Sequence, residues 1–405
     1  MSFGNEFGGQ RTAASLPRLL LATALMSALV LAWVGTAAAA GSGEDWSMWR
    51  GDARNTGAVS AQEARKLPAE LEVLWTFAAG DGAEATPVVA DGTVYAASLD
   101  GRLHALDAAT GKARWELKIE NGFRASPTVA GGTVYVGDDF GILYAVDAAT
   151  GKERWRFETE GEILSSANIT AECVLFGSYD QFLYCLKPED GSLRWKVETG
   201  GPVHGTPAVF DGQTVVGGCD GILRRVRLSD GKEVGQLELG GYVAASAAVV
   251  DGIGYLGTFE AQVLALDLSQ DEVVWRYSHP QRKFPYYASP AVSGDRVVAA
   301  GRDKMVHAIR RSSGEGLWTF ASRARFEASP LIVGDRVFAA GQDGNLYALD
   351  LASGKEVWRF ELGTSFNASP VVAGGRLFIA ADDGVIYSFG AASKNAAGKD
   401  PDGQS

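Results

Sequence analysis

From residue 70 onward the chain alternates apolar and polar side chains in short runs broken by glycine-bearing turns. One stretch shows the unit. Residues 93–98 (TVYAAS) lead through Leu99-Asp100-Gly101 into residues 102–107 (RLHALD). A second turn, Ala108-Ala109-Thr110-Gly111-Lys112, then opens onto Arg114-Trp115-Glu116-Leu117. A period of two predicts half-buried strands, and the Asp-Gly and Thr-Gly turns place glycine where a hairpin needs positive φ. With the short run at 87–90, each unit holds four antiparallel strands. No stretch beyond residue 40 sustains a 3.6-residue apolar period, so the body is expected to be all-β.

The unit recurs. Trp75, Trp115, Trp155 and Trp195 stand forty residues apart, and Trp275, Trp318 and Trp358 continue the series, with Gly235 at the position between Trp195 and Trp275. Each register also carries Ser/Thr-Pro or Ser-Ala, from Thr86-Pro87 and Ser126-Pro127 to Ser369-Pro370. Two independent markers count eight registers, and four strands at this period make a propeller blade. The last register has three strands and no tryptophan strand. The run around Trp75 has no blade of its own, so it can supply the missing outer strand and remove an open edge. The sequence therefore predicts an eight-bladed β-propeller over 71–390, closed by an N-terminal outer strand, with a lead-in at 41–70 and a disordered tail at 391–405. Gly235 is expected to leave one inter-blade position unfilled.

Ala105-x-Asp107-x-x-Thr110-Gly111-Lys112-x-x-Trp115, its copy from Ala145 to Trp155, and the Ser353 variant ending at Trp358 resemble the tryptophan-docking motif of PQQ-type (pyrroloquinoline quinone) propeller repeats. The segment from Trp46 through Trp49-Arg50-Gly51-Asp52 to Gly57 is similar to the lead-in of many such propellers. The resemblance implies that Trp75, Trp115, Trp155, Trp195, Trp275, Trp318 and Trp358 pack structurally between blades. It also implies two functional branches, BamB-like binding scaffolds and PQQ- and calcium-dependent dehydrogenases.

The N-terminus changes the picture of location. Arg11 and Arg18 precede an apolar run at 19–34 and a small-residue exit ending in Ala37-Ala38-Ala39-Ala40-Gly41. This is the layout of a secretory signal over 1–40, cleaved near Ala40, or of an uncleaved signal-anchor. An exported chain, periplasmic or otherwise extracytoplasmic, is expected. A net charge of −12 with no basic run in the body argues against nucleic acid and against an anionic membrane surface. Membrane contact would come only through the anchor or a partner. Cys173 and Cys185 face each other across one hairpin, as a disulfide or as two buried thiols, and Cys219 stands apart.

Antiparallel connectivity puts the loops leading into the inner strands on one face with the middle turns, and the Thr-Gly-Lys turns on the other. The residue three before each Pro, or its Ala substitute, then rings the mouth of the channel: Glu84, Arg124, Leu164, His204, Ala244, Tyr287, Glu327 and Asn367. These differ in chemistry while the neighbouring Ala-Ser-Pro repeats, as either a binding surface or ordinary loop variety requires. Glu84, Arg124, His204, Tyr287, Glu327 and Asn367 are the candidate binding residues. The one lengthened loop carries Arg282 and Lys283, and the next carries Arg323 and Arg325. Together they form a basic sector suited to an anionic ligand or acidic partner, or a solvated loop. Asp100, Asp139, Asp180, Asp220, Glu260, Asp303, Asp343 and Asp383 lie in the middle turns, where Asp is ordinary turn chemistry, so no metal site is expected.

The four histidines fall in separate blades and no adjacent-Cys pair exists, so no catalytic residue is assigned. The reading that results is a monomeric, non-catalytic, protein-binding propeller of the cell envelope without cofactor. The alternatives are a PQQ/Ca dehydrogenase and a propeller that binds a small ligand or glycan.

Overall fold

The computed structural model describes residues 45–391. The expected signal over 1–40 and the tail from residue 392 lie outside the described residues. The strands form eight four-stranded antiparallel sheets. In blade 1, Val88–Ala90, Thr93–Ala97, Arg102–Asp107 and Ala113–Lys118 follow one another from the axis outward, and blades 2 to 7 repeat the order. Blade 8 takes Val371–Ala373, Arg376–Ala380 and Val385–Gly390 from the end of the chain. Its outer strand is Glu72–Ala78, paired antiparallel with Val385–Gly390. The N-terminal strand thus closes the ring, as the register count predicted.

Burial follows radius. Every residue of Thr93–Ala97 and of Thr133–Gly137 is buried, because these strands have a neighbouring blade on each face. Outer strands such as Glu153–Glu158 alternate between exposed and half-buried, with the half-buried side chains facing a neighbour. The third and outer strands share a one-residue bulge in most blades. In blade 1 Ala105 faces Trp115 and Leu106 faces Ala113, so Arg114 is skipped.

Each of six indoles reaches forward onto the next blade. Trp75 donates from Nε1 to Ala108 O at 3.1 Å, Trp115 to Ala148 O at 2.9 Å, and Trp195 to Leu228 O at 2.8 Å. Trp155, Trp275 and Trp318 donate in the same way to Pro188, Arg311 and Leu351. The glycine of the receiving turn is what admits the ring. A Cβ on Gly111 would come within 2.7 Å of Trp75, and one on Gly151 would be equally close to Trp115; both glycines also have φ near +72°. Trp358 instead packs edge-on against Phe389 of blade 8, which has no such turn.

Gly235 does not leave its position empty, and the expectation of an unfilled site is corrected here. Where the other blades pair a small residue with tryptophan (Ala145 with Trp155, Ala265 with Trp275), blade 4 pairs Arg225 with Gly235. The Arg225 guanidinium crosses the vacated space and forks onto Asp271 of the blade 5 turn, with Nε–Oδ1 at 2.8 Å and Nη2–Oδ2 at 2.7 Å. Gln213 takes a further guanidinium hydrogen bond at 3.0 Å. Asp271 stands where other turns have glycine and keeps the positive φ, at 54°. Three positions have changed together, and an ion pair does the work of an indole on a glycine.

The lead-in lies along the inner strands. Trp46 exchanges backbone hydrogen bonds with Val89 of blade 1. Carbonyls of Ser47, Ala53, Arg54, Thr56 and Gly57 then accept from Val129, Val209, Val249, Val292 and Ile332, on blades 2, 4, 5, 6 and 7. Asn168 of blade 3 donates to Ala53 O from its side chain. Arg50 is buried in this strap and donates to Pro290 O, and its burial drives the guanidinium down to about 9. At the blade 3 hairpin, Cys173 and Cys185 are joined as a disulfide, while Cys219 is free.

The blade 4 exchange predicts a reciprocal test. Gly235→Trp alone drives an indole into the Arg225–Asp271 pair and should cost roughly 2–4 kcal/mol by overpacking and by disrupting a half-buried ion pair. Arg225→Ala, Gly235→Trp and Asp271→Gly together should recover most of that loss in urea unfolding. Equal stability of the single and triple variants would contradict the exchange.

Candidate functional site

Eight hydroxyls line the channel first. Thr86 N donates to Ser126 Oγ, Ser126 N to Ser166 Oγ, and so on through Thr206, Ser246, Ser289, Ser329 and Ser369, whose N–H returns to Thr86 Oγ1. All eight bonds measure 2.8–3.1 Å. The Ser/Thr of the repeat is therefore a blade-to-blade tie, and its own proton is left to point elsewhere. Trp49 of the strap donates to Ser246 Oγ at 3.2 Å and forms the floor.

Above the hydroxyls lies a cavity of about 330 Å³, lined by all eight variable positions: Glu84, Arg124, Leu164, His204, Ala244, Tyr287, Glu327 and Asn367. Of the basic residues, Arg325 lines it, whereas Arg282, Lys283 and Arg323 do not and stand exposed on the rim. The structure thus separates that expected sector into one axial residue and a surface group.

A second variable tier supports the first and was missed from sequence. It is the residue before each middle-turn acid, including Tyr179, Cys219, Phe259, Arg302, Gln342 and Asp382. Its signal is the same one, a position at fixed register that refuses to repeat. Tyr179 Oη lies 2.8 Å from His204 Nδ1, and Tyr287 Oη lies 2.7 Å from His204 Nε2. Arg302 Nε is 3.0 Å from Glu327 Oε1 and covers the Tyr287 ring at 4.7 Å. Arg325 Nε grips the same carboxylate oxygen at 2.7 Å. Asn367 is held by Gln342 at 2.9 Å and by Asp382 at 2.9 Å. Arg124 stands 3.6 Å from Asp139 and 3.9 Å from Glu84.

Asp139 belongs to this tier rather than to the turn acids. Asp138 caps the blade 2 turn instead, accepting from Phe140 N and Ile142 N. Elsewhere Asp180, Asp220, Asp303, Asp343 and Asp383 accept from a backbone N–H two residues on, as turn carboxylates do. Among the described residues no group of three or more His, Cys, Asp or Glu side chains is placed to hold a metal ion.

Burial governs the electrostatics. It lowers the His204 imidazole to about 4, raises Tyr287 to about 12, and lifts the Asp139 carboxyl despite Arg124 beside it. A neutral imidazole donates from one nitrogen and accepts at the other, so one tyrosine hydroxyl donates to His204 and the other accepts. Both nitrogens are occupied, and the paired Glu327 carboxylate is occupied too. The His204, Glu327 and Asn367 clusters are thus preorganised above a ring of hydroxyls, whereas Asp139 Oδ1 is buried without a hydrogen-bond partner among the described residues.

His204 fixes a pH dependence. The unfolded chain, with its imidazole near 6.5, takes up a proton before the folded one does at about 4. The stability that the neutral ring contributes is therefore complete above pH 6.5 and lost as pH falls toward 4. His204→Gln should melt below the wild type near pH 7.5, and the gap should narrow by about pH 5. Thermal unfolding at the two pH values checks this, and a gap that widens on acidification would refute it.

Comparison with known proteins agrees with this architecture. BamB from Moraxella catarrhalis superposes with a TM-score of 0.69 at 19% identity, over 79% of this chain and 100% of that one. Quinohemoprotein alcohol dehydrogenase from Comamonas testosteroni gives 0.73 at 15% identity, over 88% and 82%. The computationally designed Ika8 protein gives 0.70 at 16%, over 79% and 100%. At such identities the likeness is one of fold. No curated protein matches the sequence. A family profile does, in overlapping stretches over residues 62–174, 139–281, 259–361 and 302–397. With that profile spanning the ring, the chain belongs to the PQQ-type propeller family described as outer membrane protein assembly factor BamB.

Proposed function

We propose that the chain is a non-catalytic, exported propeller that binds a protein partner in the cell envelope through the face at the cavity mouth. The observation that carries this reading is the placement of its exposed aromatics. Phe140 is 72% exposed in a middle turn, and Tyr242 at 62% and Phe284 at 51% stand on loops leading into inner strands. All three are therefore on the mouth face. The remaining exposed large apolar residues, Val73, Leu193, Val274 and Val357, are aliphatic and lie on outer strands. Aromatic side chains around a rigid polar depression are the residue types that carry binding energy at interfaces. Family membership and the leader-like sequence over 1–40 support an envelope partner.

The cavity residues do not suit a PQQ–calcium pair. Calcium asks for several carboxylate or carbonyl oxygens free to converge. Glu327 is clasped by Arg302 and Arg325, Glu84 faces Arg124, and the sequence has no adjacent-Cys pair. A small-ligand reading keeps one observation in its favour, the hydroxyl-floored cavity itself.

Two measurements test the proposal. Photo-crosslinking residues placed at Phe140, Tyr242 and Phe284 should capture the same envelope protein in cells, and those at Lys112 and Lys232 on the opposite face should not. Equal capture from both faces would sink the assignment. Calorimetric titration of the purified protein with PQQ, with and without calcium, should give no saturable heat and no rise in melting temperature. Saturable binding would return the dehydrogenase reading.

A further inference from the structure

The mouth face is electrically divided. Arg282, Lys283, Lys304 and Arg323 are exposed on the loops of blades 6 and 7. Among the described residues none of the four side chains forms an ion pair: Arg282 donates to the backbone of Asp303 and Lys304 to the backbone of Arg323, while Arg323 meets the Asp343 carboxylate only through its backbone N–H. Phe284 projects beside them. Four exposed acids, Asp81, Glu120, Glu160 and Glu162, stand on the loops of blades 1 to 3, also without a cationic partner among the described residues. In a ring of eight, blades 2 and 3 stand opposite blades 6 and 7. The two groups therefore face each other across the cavity mouth, on a protein whose net charge is −12.

Unpaired like charges side by side repel, so each group stores unfavourable energy that a complementary partner relieves. The shape of the field limits what that partner can be. A flat anionic membrane attracted by blades 6 and 7 would be repelled by blades 1 to 3. A uniformly acidic or basic protein surface meets the same conflict. A narrow segment carrying both signs, one at each end, meets none.

Resting on the partner-binding reading above, we propose that the mouth binds an extended polypeptide segment laid across the axis. Its acidic end lies on Arg282, Lys283, Lys304 and Arg323, and its basic end on Asp81, Glu120, Glu160 and Glu162. Its middle passes over the cavity, whose hydroxyl-floored depression accepts a polar side chain, and Phe284 on the rim beside the basic group offers an apolar contact.

The test uses the mature protein and three fluorescent peptides of equal length, each with a central Gly-Phe-Gly. One has glutamates at one end and lysines at the other, one has glutamates at both ends, and one has lysines at both. The two-signed peptide should bind at least ~10-fold more tightly than either single-signed one, and added salt should weaken it steeply. Arg282→Glu with Lys283→Glu should lose that preference, as should Glu160→Lys with Glu162→Lys. Reversing all eight charges, with Arg282, Lys283, Lys304 and Arg323 changed to Glu and Asp81, Glu120, Glu160 and Glu162 changed to Lys, should restore it, because the peptide can lie the other way round. Melting temperatures confirm that each variant is folded. Equal binding of the three peptides, or failure of the folded eightfold variant to recover, overturns the proposal. So does tight binding of phosphatidylglycerol vesicles that is lost in Arg282→Glu with Lys283→Glu. Face-specific crosslinking together with a flat peptide series would leave the scaffold standing and remove only its polarity.

Discussion

A four-stranded blade is too thin to bury both faces by itself, so nothing in this molecule is stable until a blade is tied to its neighbour. The ties sit at two radii. Near the axis, each inner strand hands a backbone N–H to the Ser or Thr hydroxyl of the next blade, and the eighth such bond returns to the first. Farther out, an indole rests on the glycine of the next turn and donates to its carbonyl. The inner ring fixes the diameter of the channel and the outer contacts fix the spacing of the blades. The cavity is a consequence of both, since its walls are the residues that precede the tied ones. Closure by Glu72–Ala78 completes the circuit with a strand from the other end of the chain.

The outer tie is defined by geometry rather than by residue type, as blade 4 shows. Arg225, Gly235 and Asp271 replace a small residue, a tryptophan and a glycine, and the gap between blades is still spanned. The exchange is not neutral in kind. An indole on glycine gains mainly from apolar burial, whereas a forked guanidinium–carboxylate pair gains from directed charge and must offset desolvation. Asp271 also retains a backbone conformation that glycine adopts more easily. Blade 4 is thus held to blade 5 by a contact that weakens with salt, where six other inter-blade contacts rest on an indole.

The fold was legible because it is said eight times. A single Asp-Gly turn or tryptophan carries little, but two markers in the same register leave one architecture, and the unpaired strand around Trp75 gave closure. The mouth ring was legible for the opposite reason, that Glu84, Arg124, His204 and their counterparts break the repeat. What the sequence hid were relations between registers. Nothing near Gly235 points to Asp271, because the pair meets only across a blade interface. The clasp of Arg302 on Glu327 and of Tyr179 on His204 also joins different loops. Asp139 misled because it sits in a turn rich in acids, and only hydrogen bonds show that Asp138 holds the turn. Arg282, Lys283 and Arg323 share charge with Arg325 but not position, since side-chain direction on a lengthened loop is not a matter of spacing.

Repetition also explains where specificity can reside. Positions that tie blades together must satisfy the same geometry in every blade, so they converge on Ser, Thr, Trp and Gly and cannot encode a partner. The two tiers at the mouth are free of that demand, and in this chain they are filled with side chains that satisfy one another: a histidine between two tyrosines, a carboxylate between two guanidiniums, an asparagine between an amide and an acid. Such a surface is rigid before anything binds and loses little conformational entropy on binding. The exposed charges outside the tiers behave differently, being unpaired and segregated by sign. A rigid, self-satisfied centre within a divided, unsatisfied rim separates two tasks: the rim attracts and orients, and the centre tests shape.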